Sequence, residues 1–131
     1  MRRLLVVVCA ASALALVGPA SGQTISPGCG LTGFSTLGNI HRFVGEAVTY
    51  DLTNNDTRYF DAFIEWGDVP SVGSFPGLHP GDEYLFSHAY STPGSYSPVM
   101  YIHVADPSVP LGLCTTSFTL GTVRVRGHAH G

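Results

Sequence analysis

The chain has 131 residues and a formal net charge of −3, with nine Asp and Glu against six Lys and Arg. Phosphate binding needs a basic surface, so this balance argues against a nucleic-acid partner. The length is expected to hold one domain with one modest core.

Met1-Arg2-Arg3 is a short basic head. It precedes an unbroken run of apolar and small residues from Leu4 to Val17, and then Gly18-Pro19-Ala20-Ser21-Gly22. This pattern predicts a secretory signal peptide over residues 1–22, cut before Gln23. The run falls short of the roughly 18 to 20 apolar residues that cross a bilayer, so membrane insertion is not expected. The domain is then expected over residues 23–126, secreted to the extracellular space or, in a bacterium, to the periplasm. Of three cysteines, Cys9 leaves with the leader. The remaining pair, in an oxidising compartment, predicts a Cys29–Cys114 disulfide.

Beyond residue 30, apolar residues alternate with polar ones between clusters of Gly, Pro, Asn and Asp, and no long segment has helical spacing. The chain is expected to be all-β. Before residue 46 the pattern is loose, with strands expected near Leu31 to Leu37 and Asn39 to Phe43. Glu46 to Thr53 reads as a strand with Val48, Tyr50 and Leu52 inward, closed by a turn at Asn54-Asn55-Asp56. Phe60, Ala62, Ile64 and Trp66 alternate next, placing Trp66 inside at the end of a central strand and, by expectation, at the centre of the core. Pro70, Gly73, Pro76-Gly77 and Pro80-Gly81 make residues 69–82 a long surface loop rather than another element.

Glu83 to Tyr90 is a strand with Tyr84, Phe86, His88 and Tyr90 on one face. After Thr92-Pro93-Gly94, a strand with Tyr96, Pro98, Met100, Ile102 and Val104 on one side follows, and Pro98 must lie where no ladder donor is needed. Cys114 to Arg126 carries Phe118 and Leu120 in one register and Val123 and Val125 in the other, so Gly121 is expected to mark a bulge. Residues 127–131 read as a flexible tail.

Short strands at this spacing suggest two packed antiparallel sheets, and Trp66 with the Pro93-Gly94-Ser95-Tyr96 turn narrows this to an immunoglobulin-like β-sandwich of about seven strands with one disulfide. Two strings narrow the comparison. Trp66-Gly67-Asp68 ends one strand, and His88-Ala89-Tyr90-Ser91-Thr92-Pro93-Gly94-Ser95-Tyr96 leads into another. Over roughly residues 45–126 the chain resembles the polycystic-kidney-disease (PKD) domain family, with Val69 and Pro98 departing from the usual pattern. The resemblance implies an extracellular, non-catalytic interaction or spacer module and names no ligand.

Trp66, Asp68, His88, Tyr90 and Tyr96 are therefore read as structural. Tyr96 is expected to hydrogen-bond back to the preceding corner, and Asp68, His88 and Tyr90 to form a hydrogen-bonded cluster. No nucleophile elbow or zinc-protease string is present, so no catalytic residue is assigned. No cofactor or metal is expected. His128 and His130 make a poor two-ligand site, and Asp51, Asp56, Asp68, Asp82 and Glu83 match no calcium-loop spacing. Asn55-Asp56-Thr57 fits a glycan acceptor and equally a turn.

The sharper signal is the outward register. If Trp66 and Met100 point in, then Tyr59, Phe63, Glu65, Val99 and Tyr101 point out on neighbouring strands, with His103 beside them. Contiguous exposed aromatic surface marks a contact site. The competing expectation is that residues 24–43 or the long loop fold over it. The expected function is a secreted, non-enzymatic module for extracellular protein interaction, adhesion or assembly. The alternative is a small carbohydrate-binding protein that stacks sugars on Tyr59, Phe63 and Tyr101, with Asp61 or Glu65 accepting from hydroxyls.

Overall fold

The computed structural model of the chain describes residues 6–9, 23–36, 38–68 and 76–127. Among the described residues there are twelve strands and no helix. In chain order they are β1 (Val6–Cys9), β2 (Gln23–Ile25), β3 (Phe34–Thr36), β4 (Ile40–Phe43), β5 (Ala47–Thr53), β6 (Phe60–Glu65), β7 (Gly77–Leu78), β8 (Glu83–Ala89), β9 (Gly94–Tyr96), β10 (Val99–Ala105), β11 (Leu113–Thr119) and β12 (Val123–Arg126).

Side-chain alternation along a strand sends successive residues to opposite faces, and here it builds two layers. One sheet has the order β1-β5-β8 and buries Val48, Tyr50, Leu52 and Phe86. The other has the order β11-β10-β6-β7 and buries Phe60, Ala62, Ile64, Met100, Ile102 and Val104. These residues share one hydrophobic cluster, so the inner faces pack together as an antiparallel immunoglobulin-like sandwich.

A third group, β4-β12-β9, continues the second sheet past an interruption. In the antiparallel pairing, Val99 faces Thr119 on one side of the break and Tyr96 faces Val123 on the other. Two residues on one strand thus oppose three on its partner, and the extra residue makes the predicted bulge. It reverses the parity, so that both Leu120 and Val123 are fully buried. Gly121 sits there at φ 115°, and a Cβ would collide with the Gly38 carbonyl. Pro98 lies in the same gap, where its missing N–H costs nothing while its carbonyl accepts from Leu120 N at 2.9 Å. Beyond the bulge β12 also pairs with β4 in parallel, Val123 opposite Ile40.

Three expectations are corrected. The stretch 69–82 does contain an element: β7 pairs with β6, Phe60 opposite Leu78, which places Leu78 in the core. The short pairing has no alternation long enough to show in sequence. The strand expected over Leu31 to Leu37 is confined to β3, which pairs with β2. Leu31 and Phe34 instead enter the core, with Phe34 meeting Phe118 edge-on at 4.9 Å. Trp66 is inside, as its register requires, but at 8 % exposure it closes one end of the core, while Tyr50, Tyr90 and Phe60 lie deeper.

The Cys29–Cys114 disulfide is present, its Cα atoms 5.8 Å apart. It pins the segment carrying Leu31 and Phe34 to β11, helped by the Thr116 hydroxyl, which donates to the Pro27 carbonyl. A disulfide of this kind fits an oxidising compartment such as the extracellular space or periplasm. No helix among the described residues is long and apolar enough to cross a membrane.

Candidate functional site

Two constellations emerge from the registers. The first closes the end of the sandwich. β6 delivers Trp66 to its end, Gly67 turns at φ 98°, and Asp68 then reaches back to β8, where its Oδ2 lies 2.8 Å from His88 Nε2. The His88 ring stacks on Trp66 at 4.9 Å and 21° and meets Tyr90 edge-on at 4.8 Å. Tyr90 donates to the Trp66 carbonyl at 2.7 Å rather than to Asp68, so the expected cluster forms with a different partner for the tyrosine. Burial, then the charges of Asp68 and Tyr96, push the Tyr90 hydroxyl well above its ordinary range, which keeps it a donor. Tyr96 stacks on Tyr90 at 4.1 Å and donates to Thr92 O at 2.6 Å, the corner bond that the sequence leads one to expect. Stacked rings and backbone-directed hydroxyls hold three chain segments together, which is structural work.

The second constellation is the outward face of β6 and β10. In antiparallel register Tyr101 lies opposite Phe63, His103 opposite Asp61 and Val99 opposite Glu65. The Phe63 and Tyr101 rings stack at 4.9 Å and 10°. Tyr101 donates to Glu65 Oε1 at 3.1 Å, and that bond holds its hydroxyl above the ordinary tyrosine range. On the other flank, His103 Nδ1 lies 2.9 Å from Asp61 Oδ1. An aromatic pair is thus set between two polar pairs. Val99, Phe63 and Tyr101 are half-buried and Glu65 is exposed.

Tyr59 shares the register but not the stack. It lies four residues from Phe63, about 13 Å along a strand. It is 40 % exposed, and its ring covers Gly77 and approaches His79 at 4.9 Å. Part of the described N-terminal segment is held away from this face: Cys29, Pro27 and Phe34 contact Cys114, Thr116 and Phe118. Those β11 residues pair with the buried Val104, Ile102 and Met100 and so face inward. Residues 69–75, the other expected cover, and His128 and His130 lie outside the described residues.

Sequence reasoning missed Asn54, read there only as a turn. It is fully buried, donating from Nδ2 to Arg58 O at 2.9 Å and Leu78 O at 2.8 Å and accepting from Asp56 N. It ties the β5–β6 turn to β7, a role visible only once β7 is placed. Of the acidic residues weighed for calcium only Asp51 and Glu83 lie together, while Asp56 pairs with Arg58, Asp82 with His79 and Asp68 with His88. Among the described residues no three or more His, Cys, Asp or Glu side chains are grouped to hold a metal ion. Asn55 lies half-buried in the β5–β6 turn.

No protein-family model matches the chain, and no curated protein does. A solved structure that matches is the PKD domain of an M14-like peptidase from Thermoplasmatales archaeon SCGC AB-540-F20. The two are 20% identical, the match covers 67% of this chain and 94% of that one, and the TM-score is 0.45. In this chain the Trp66 and His88 to Tyr96 strings form the end cluster.

Proposed function

We propose that the chain is a secreted, non-enzymatic interaction module that binds an extracellular protein through the outward face of β6 and β10. Residues 1–22 act as its leader and are removed before Gln23. The observation that carries this reading is the Phe63–Tyr101 stack, a preformed aromatic pair at the middle of two central strands. Rigid aromatic anchors ringed by polar groups are what protein interfaces concentrate.

The same geometry favours a protein over a sugar. Nearly parallel rings 4.9 Å apart overlap with an offset, so each spends part of one face on the other. Tyr59, the third platform residue, stands apart.

The test immobilises the mature protein and its Phe63→Ser/Tyr101→Ser variant, exposes both to the extracellular fraction of the source, and screens both on a glycan array. A protein retained by the wild type and released by the variant is the expected result. Equal retention by both, or saturable glycan binding by the wild type, overturns the reading.

A further inference from the structure

The outer edge of β5 is occupied by β1, which is the outermost strand of its sheet. The pairing is antiparallel, with Val6 opposite Thr53, Val7 opposite Leu52, Val8 opposite Asp51 and Cys9 opposite Tyr50. These four residues belong to the apolar run read as leader, and the fate of this edge rests on that reading. Cleavage before Gln23 removes β1 and leaves the outer edge of β5 unpaired, apart from the Ala47 carbonyl, which accepts from Arg42 Nε at 3.1 Å.

Natural edges are blunted by Lys, Pro, bulges or shortness. β5 has none of these. It is seven residues long, Ala-Val-Thr-Tyr-Asp-Leu-Thr, with an unbroken register to β8 from Ala47–Ala89 to Thr53–Glu83 and a single charge at Asp51. Its pattern is also complementary to itself. A two-fold axis through Tyr50 sets Val48 opposite Leu52, both inward and fully buried, and sets Asp51 opposite Thr49, so that no carboxylate faces another across the seam. Isologous contacts require this self-complementarity.

We propose that the mature protein dimerises through the β5 edge, pairing antiparallel with β5 of a second copy to make one continuous β8-β5-β5-β8 sheet.

The experiment uses the secreted protein after N-terminal sequencing, with sedimentation to read the oligomeric state and hydrogen exchange to read the β5 amides. A start at Gln23, a dimer, and slowed exchange across Val48 to Leu52 on dimerisation are expected. Thr49→Glu sets carboxylates face to face across the seam and should weaken the dimer by about tenfold or more, because like charges directly opposed destabilise a ladder. Thr49→Arg, which meets Asp51 with the opposite charge, should retain it, and so should Phe63→Ser/Tyr101→Ser. A monomer starting at Gln23 overturns the proposal while leaving the leader reading intact, whether the β5 amides are protected or not. A secreted chain that keeps residues 6–9 overturns both. A dimer indifferent to Thr49→Glu, or lost with Phe63 and Tyr101, assigns the contact elsewhere and also overturns it.

Discussion

Replacing Cys29 and Cys114 together with Ser removes a cross-link that spans a sequence separation of 85 residues. Closing a loop of that length restrains the unfolded chain by about 4.5 kcal/mol at 25 °C on the chain-entropy relation. Domains of this size are typically stable by about 5 to 15 kcal/mol, so a loss of this order removes a large share. The structure adds a local consequence. The bridge holds the segment from which Leu31 and Phe34 enter the core, and each such burial is worth about 1.5 to 3 kcal/mol. Urea unfolding of the double variant against the oxidised wild type separates the two effects. If the segment stays docked, the midpoint should fall while the slope rises, because the unfolded chain without its cross-link exposes more surface. If it undocks, the folded state already exposes part of that surface and the rise in slope should be offset. Leu31→Ala in the oxidised protein should cost about 2 to 5 kcal/mol and calibrates the local part. A double variant within about 1 kcal/mol of the wild type would refute the reasoning.

Trp66→Ala should cost about 3 to 5 kcal/mol, and Tyr90→Phe, which strands the buried Trp66 carbonyl, about 1 to 3, both read by denaturant unfolding; an unchanged midpoint for either contradicts the end cluster. Asp51 is raised to about 6 by burial, then by its hydrogen bond to Glu83 and the charge of Glu83. The folded state therefore binds this proton more tightly than the unfolded chain does, so stability should rise as the pH falls from about 6 towards 4 and be lost above 6. Asp51→Asn should flatten that part of the profile and raise the thermal midpoint at pH 7 to 8, and an unaltered profile refutes the assignment. Phe63→Ser/Tyr101→Ser should lower stability by about 1 to 3 kcal/mol through the lost stack, the Tyr101 bond to Glu65 and the half-buried ring area, and a loss well above that would mean that the face is part of the core.

The faces of β5, β6, β8 and β10 were legible in the sequence because a strand writes its two sides with period two, and one buried side selects apolar residues. Val48, Tyr50 and Leu52, then Phe60, Ala62 and Ile64, then Met100, Ile102 and Val104 therefore declare which side is in, and Phe63 and Tyr101 follow as their complement. The parity change between Leu120 and Val123 likewise shows the bulge at Gly121, since only an extra residue lets both point inward. The end cluster was legible in part: the strings supplied Trp66, His88 and Tyr90, but the Tyr90 bond to the Trp66 carbonyl depends on where the strand stops.

Other features had no local signature. Gly77 and Leu78 are too few to show a period, and Asn54 is a turn residue until β7 brings a carbonyl to it. Leu31 and Phe34 lie in a segment without alternation, and Cys114 tells where that segment is tethered without telling which cavity it fills. The seat of Val6–Cys9 on β5 is of the same kind. Alternation is a property of one strand and its own two faces, so the sequence alone determined the layers. Which edge meets which depends on backbone groups that every residue carries alike, so only the assembled sandwich decided the neighbours.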